Sequence, residues 1–457
     1  MDNDSSNLQI EPVRHIKSFK HTYIHGRRIP AVAGVLVLPL LVFLVLPLRS
    51  AHAYNNGMGK TPPMGWNSWC TDSLCNLLGK DPCTEKEVQT TVVAMVEHGL
   101  LELGYDYVAL DDCWSTTERD ADGHLQADTT KFPNGMKAVA DFVHARGMKF
   151  GLYTSVGDET CKGKRPGSYA HFADDAKTLT AWGVDMIKMD HCGNKHNVSD
   201  QELYGTMSAA LNQTDRPVLF SLCSWGLDNV WEWGANIAQM YRIQMDHLPF
   251  WKLSGKRSAG AGYGQGTYDI IEWMATLQPS KWTTQYGWMD PDFLMTEYFT
   301  MDFIGSRTEY TFWSLWSAPL LISTDLRKLA SEDDKMRIIT NKEVIAINQD
   351  PLGTGGDRIV NNTDGTQVWY KPLANGDVCV VLYNSGTNNE QKRDLLVSVH
   401  WSVLPAWAGN VSLSVKVRDL WEGLDMGVFE SGYNATLKVR DVKMLRLTKV
   451  GKEETIV

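Results

Sequence analysis

Four short strings in this 457-residue chain each place a carboxylate just after a run of apolar residues. They are Leu110-Asp111-Asp112-Cys113-Trp114, Lys188-Met189-Asp190-His191-Cys192, Arg242-Ile243-Gln244-Met245-Asp246 and Trp288-Met289-Asp290-Pro291-Asp292. The residues ahead of the first three (Tyr105 to Ala109, Val184 to Ile187, Met240-Tyr241) have the composition of short buried strands. Carboxylates at the C-terminal ends of strands that alternate with helices are the layout of a (β/α)8 barrel site. Several of them converging on one pocket, with aromatics around them, suit glycoside hydrolysis.

The rest of the central region agrees. Candidate strands are 63–66, 107–110, 149–153, 185–189, 218–222, 240–244, 284–287 and 319–322. Amphipathic helical stretches at 85–103, 133–146 and 172–182 lie between them. Eight strands, each followed by a helix, predict a closed parallel barrel. A doubly wound open sheet is the alternative, but the Gly-rich phosphate loop it normally carries after its first strand is missing. After residue 350 the texture changes to short strands separated by Asn-Gly, Ser-Gly and Gly-rich turns. The expected class is therefore α/β: a (β/α)8 barrel over residues 54–350, then a C-terminal antiparallel β-sandwich over 351–457.

Residues 1–53 form an N-terminal tail. A polar lead carrying Arg14, Lys17, Lys20, Arg27 and Arg28 precedes an uncharged apolar run from Ile29 to Leu48. Ala51-His52-Ala53 then fits a signal-peptidase site. The run is long enough to span a bilayer, so a type II membrane anchor is the alternative to cleavage. Either way the bulk of the chain enters the secretory pathway, to be secreted or held in a lysosomal or vacuolar compartment. Eight cysteines, all but Cys379 between residues 70 and 223, read as disulfides there. No Cys or His spacing fits zinc, so no metal is expected. Sequons at Asn197, Asn212, Asn361, Asn410 and Asn434 offer glycan sites. A net charge of −10 without blocks of like charge argues against nucleic acid and anionic membrane surfaces as partners.

Within the site, retention at a glycosidic bond requires a carboxylate nucleophile and a second carboxylic acid on the leaving-group side. Asp190 ends an apolar strand two residues after Lys188, which would keep it charged; a structural ion pair is the competing reading. Arg242 and Asp246 stand four apart, as an ordinary surface pair would. Asp111 and Asp112 repel each other unless something binds them, and sugar hydroxyls or a divalent cation are the options. Cys161 and Cys192 each follow a candidate strand; a bridge between them would brace the wall beside Asp190, and a pair of buried thiols is the alternative.

Ordered motifs carry a resemblance. Thr61-Pro62-Pro63-Met64-Gly65-Trp66-Asn67-Ser68-Trp69, Asp111-Asp112-Cys113-Trp114, Phe132-Pro133-Asn134-Gly135-Met136, Gly151-Leu152-Tyr153 and Lys188-Met189-Asp190 are followed by three more. These are Trp288-Met289-Asp290-Pro291-Asp292, Ser317-Ala318-Pro319-Leu320 and Ile347-Asn348-Gln349-Asp350-Pro351-Leu352-Gly353. From Tyr54 to its end the chain resembles glycoside hydrolase family 27, the α-galactosidases and α-N-acetylgalactosaminidases. The resemblance implies a retaining α-galactosidase without cofactor, acting on galactose-containing oligosaccharides or glycoconjugates. It implies Asp190 as nucleophile, Asp246 as acid/base, and Asp111 and Asp112 on the galactose 4- and 6-hydroxyls. Lys188, Tyr153, Arg242 and Asp292 would complete the polar shell, with Trp69 as a wall and Cys161–Cys192 as a disulfide. Pairing of Cys70, Cys75, Cys83 and Cys113 stays open, as does a homodimer.

Three departures matter. Ser224 replaces the glutamate that reads the sugar 2-position in the α-galactosidases, while Leu227 fills space an N-acetyl group needs; the expectation is galactose. Some animal members have a disulfide partner for Cys223 at a position that here reads Ala238, so a free buried thiol is expected. Met289 replaces an asparagine, a change expected to be tolerated. The rivals are an α-N-acetylgalactosaminidase, a β-L-arabinopyranosidase and an inactive sugar-binding protein. The two short aspartates at 111 and 112 favour the hexose over arabinose.

Overall fold

The computed structural model describes residues 54–71, 75, 83–253, 264–330, 333–386, 393–409 and 413–450. The Ile29 to Leu48 run, the Ala53 site and Asn410 lie outside the described residues. No helix among the described residues is long and apolar enough to cross a membrane.

Eight parallel strands lie in one sheet: β1 (Met64–Asn67), β2 (Tyr107–Ala109), β3 (Lys149–Ser155), β4 (Met186–Asp190), β5 (Leu219–Cys223), β6 (Met240–Arg242), β7 (Trp288–Asp290) and β8 (Leu320–Ile322). Their order is β7-β6-β5-β4-β3-β2-β1-β8. The strands are buried on both faces, as a helix-wrapped parallel sheet requires, which is why they read as unbroken apolar runs. The ends of the sheet meet just past β7. Leu294 N–H donates to the Leu321 carbonyl at 2.8 Å, and its carbonyl accepts from Ser323 N–H at 3.2 Å. Among the described residues, this bridge joins the segment after β7 to β8.

The connecting helices are α1 (Glu85–Glu97), α2 (Gly135–His144), α3 (Phe172–Ala181), α4 (Asp200–Leu211), α5 (Thr267–Leu277), α6 (Pro279–Trp282), α7 (Phe303–Leu315), α8 (Met336–Ile339) and α9 (Lys342–Asn348). In α1 the Thr84 side chain caps the first turn by accepting from Glu87 N–H. Val88, Val92 and Met95 recur at helical spacing on its buried face. The helix stops short of the expected Leu103 because Gly99 turns left-handed at φ 68°, a conformation open to glycine.

Two sequence expectations need correction. The seventh strand is Trp288–Asp290, not 284–287. Thr284 and Gly287 instead bond to each other across a tight turn, with Tyr286 at φ 66°. The Tyr286 ring suits a strand, but the left-handed backbone it adopts belongs to the turn. In addition, β5 is followed by a 3-10 stretch, Leu227–Glu232, rather than an α-helix; Asp228 and Asn229 break it by adopting φ 49° and 52°.

The C-terminal domain pairs β9 (Asp357–Asn361), β10 (Thr366–Pro372), β11 (Val378–Asn384), β13 (Val415–Asp419), β14 (Leu424–Phe429) and β16 (Val442–Lys449) into an antiparallel sheet, ordered β14-β13-β16-β11-β10-β9. A ribbon of β12 (Leu395–His400) and β15 (Gly432–Leu437) forms the second layer. Val368, Val380, Leu382, Val397, Val399, Val417 and Leu445 fill the space between the layers. The alternate residues of the large sheet face the barrel instead. Trp369 and Tyr383 meet Phe312 of α7 at 5.0 and 5.1 Å between ring centres. The two domains therefore share a core.

Candidate active site

The C-terminal ends of β3, β4 and β5 lie in register. Tyr153 pairs with Lys188 and Lys188 with Ser221; one level up, Ser155 pairs with Asp190 and Asp190 with Cys223. Parallel strands in register project their functional side chains at matched heights. Close approach of the next two loops supports that wall. Gly157 lies so near the Gly193 backbone that a Cβ on it would sit 1.9 Å from the Gly193 carbonyl carbon. Cys161 and Cys192 are disulfide-bonded across the same two loops. Their sulfurs and the Asp190 carboxylate all lie within 4.8 Å of one another. Cys70–Cys75 and Cys83–Cys113 are the other two bridges, while Cys223 and Cys379 are buried thiols.

Asp111, Asp112, Lys188, Asp190, Arg242 and Asp292 are all buried. Lys188 Nζ donates to Asp111 Oδ2 at 2.8 Å. Burial works against the Lys188 charge, but Asp111 foremost, with Asp190 and Asp292, holds the ammonium above its ordinary range. Three aromatic rings enclose it: Phe293 at 4.9 Å, Tyr153 at 5.4 Å and Trp69 at 5.7 Å. Asp112 Oδ2 accepts from Lys162 N–H at 2.7 Å, and Arg165 Nη1 stands 3.9 Å from Oδ1. The repulsion between the two adjacent aspartates is thus answered by protein cations. Asp112 is still pushed up, chiefly by burial.

Asp190 is 7% exposed, and its Oδ1 accepts from His191 N–H at 2.9 Å. Burial, aided by the charges of Asp246 and Asp111 and opposed by Lys188, raises its carboxyl to about 6. Asp246 lies beyond the end of β6, and its side chain is 42% exposed. Arg242 Nη2 donates to Asp246 Oδ1 at 3.0 Å and pairs with Asp292 Oδ2 at 2.9 Å; Nη1 reaches Cys223 Sγ at 3.3 Å. Burial and the neighbouring carboxylates push Asp292 upward against the pull of Arg242.

The structure brings Trp69, Asp111, Tyr153, Lys188, Asp190 and Asp292 around one ammonium, with Asp246 joined through Arg242. Ser224 follows Cys223 at the end of β5; its hydroxyl is enclosed and has no hydrogen-bond partner among the described residues. Leu227 is half-buried at the start of the 3-10 stretch. Sequence reasoning missed Phe293, Lys162 and Arg165. Phe293 directly follows the Asp-Pro-Asp string, a usable signal. Lys162 and Arg165 sit in a loop whose fold depends on the Cys161–Cys192 bridge, so nothing local marks them.

Residues 61–350 match the family model described as alpha galactosidase A, and residues 363–447 match the alpha galactosidase C-terminal beta sandwich domain. An alpha-galactosidase of Oryza sativa subsp. japonica is 36% identical over 397 residues, covering 87% of this chain and 87% of that one. One from Cyamopsis tetragonoloba is 37% identical over 393 residues, covering 86% and 87%. Among solved structures, alpha-galactosidase I from Mortierella vinacea superposes with a TM-score of 0.79 at 32% identity, over 86% of this chain and 98% of that one. The Saccharomyces cerevisiae alpha-galactosidase with raffinose gives 0.78 at 27%, over 86% and 99%.

Proposed function

The chain belongs to the alpha-galactosidase family, glycoside hydrolase family 27, and from that premise we propose that it releases terminal α-linked galactose with retention, using Asp190 as nucleophile and Asp246 as acid/base. The observation that supports this division of labour is the contrast between the two carboxylates. Asp190 is enclosed beside the Lys188 ammonium, where a sugar can cover it completely. Asp246 is open, on the side where a leaving group departs and water enters.

In the first step an Asp190 oxygen attacks the anomeric carbon while Asp246 gives its proton to the departing glycosidic oxygen. In the second, Asp246 takes a proton from water, the water oxygen attacks the same carbon, and the bond to Asp190 breaks. Lys188, Asp111 and Asp112 supply one fixed donor and fixed acceptors for ring hydroxyls, which orients the anomeric carbon. Proton NMR of p-nitrophenyl α-galactoside hydrolysis tests this reading. The α-anomer of galactose is the first product expected; initial release of the β-anomer would overturn it.

A further inference from the structure

Asp292 carries a second role. Its backbone sits at φ 83°, a left-handed conformation that a non-glycine residue holds only when its surroundings enforce it. It is 4% exposed. Its N–H donates to Asp290 Oδ1 at 2.8 Å, and its carbonyl accepts from Trp313 Nε1 at 2.8 Å. Both carboxylate oxygens are engaged by protein: Oδ1 by Phe293 N–H at 2.9 Å, Oδ2 by His247 N–H at 2.7 Å and by Arg242 Nη2 at 2.9 Å. A group so occupied has little capacity left for a sugar hydroxyl.

The partners of Oδ2 bracket Asp246. His247 is the next residue, and Arg242 shares Nη2 with Asp246 Oδ1 at 3.0 Å. Strand β6 ends at Arg242; beyond it Ile243 N–H donates to the Asp290 carbonyl at 3.2 Å and the Asp246 carbonyl accepts from Gln265 N–H at 2.7 Å, so the contacts of His247 N–H and Arg242 with Asp292 add to a backbone already tied at Asp246. A general acid must keep hydrogen-bond reach of the oxygen it protonates. We propose that Asp292 is the positioning residue of Asp246: it anchors the backbone beyond Asp246 and takes up part of the Arg242 charge. This rests on Asp246 being the acid/base. Without Asp292, Arg242 has Asp246 as its nearest carboxylate partner, and the undivided guanidinium charge falls on Asp246.

The test compares wild type, Asp292→Asn, Asp246→Ala and the double variant on an activated p-nitrophenyl galactoside and on unactivated methyl α-galactoside, with galactose as competitive inhibitor. Asp292→Asn is expected to lose roughly tenfold more kcat/KM on the methyl galactoside than on the aryl one, as loss of acid assistance does. Its alkaline pH limb moves to lower pH, and the galactose inhibition constant stays within about threefold. In the Asp246→Ala background the same substitution adds little. Two results overturn the proposal: equal losses on both substrates with an unmoved alkaline limb, or a galactose constant that rises in step with KM. If Asp246→Ala itself shows no leaving-group dependence, the acid/base assignment falls and takes this proposal with it. Should Asp292→Asn fail to fold, Arg242→Lys decides. It keeps the charge but loses the planar guanidinium that Asp292 and Asp246 share, and the same substrate contrast is expected.

Discussion

Lys188 Nζ donates its hydrogen bond to Asp111 Oδ2, at 2.8 Å, and not to the neighbouring Asp190. Its influence on Asp190 is through space, and burial outweighs it. The Asp190 carboxyl is therefore raised to about 6 instead of being held at the ordinary carboxylate value.

Activity should fall on the acid side of about pH 6, where Asp190 takes up a proton and can no longer attack. Removing the Lys188 charge takes away the main opposing influence. In Lys188→Gln the acid limb of kcat/KM should move to higher pH. Profiles measured from pH 4 to 8 check this, and an unmoved limb would break the link between the two residues.

The same shift has a cost in stability. The Asp190 carboxyl is raised from 3.8 to about 6 in the folded chain, so the native state binds the proton more tightly than the unfolded one. Its stabilising contribution is complete below about pH 4 and is lost as pH rises through 6. Asp190→Asn should accordingly be more stable than wild type at pH 8, by on the order of 2–3 kcal/mol, and equal to it near pH 4. Denaturant titrations at the two pH values decide. A gain of the same size at both would show a packing effect instead.

Asp190→Ala should lose several orders of magnitude in kcat, because covalent catalysis is removed. Azide should not restore turnover with retained stereochemistry. Near wild-type activity in this variant, measured with p-nitrophenyl α-galactoside, would end the assignment.

Specificity at the 2-position is expected to rest on Leu227 and Ser224 together; the Ser224 hydroxyl is enclosed without a hydrogen-bond partner among the described residues. An acetamide forced against a fitted leucine costs roughly 1–3 kcal/mol. The enzyme should prefer α-galactosides to α-N-acetylgalactosaminides by about tenfold or more in kcat/KM. Leu227→Ala should narrow that gap. A wild-type enzyme faster on the N-acetyl substrate would place Leu227 away from the sugar.

The Ile29 to Leu48 run is expected to direct translocation, with cleavage after Ala53. Amino-terminal sequencing of mature protein beginning at Tyr54 would bear this out. Recovery only from detergent-solubilised membranes with the leader intact would favour the anchor.

Sequence by itself determined the architecture and the identity of the main acidic side chains. Buried parallel strands are apolar on both faces, so their ends are visible as the points where carboxylates begin, at Asp111, Asp190 and Asp290. Alternation of strand and helix then implies the barrel. Tertiary structure alone decided the partnerships. Lys188 with Asp111 joins residues 77 positions apart, Asp292 with His247 joins residues 45 apart, and Leu294 bridges to β8. Such pairings depend on which strand ends the closed sheet brings together, and no local pattern encodes that. The seventh strand shows the same limit on a small scale. Gln285-Tyr286-Gly287 is equally compatible with turn and strand, and the pairing of Met240 with Trp288 and of Arg242 with Asp290 places the strand after it.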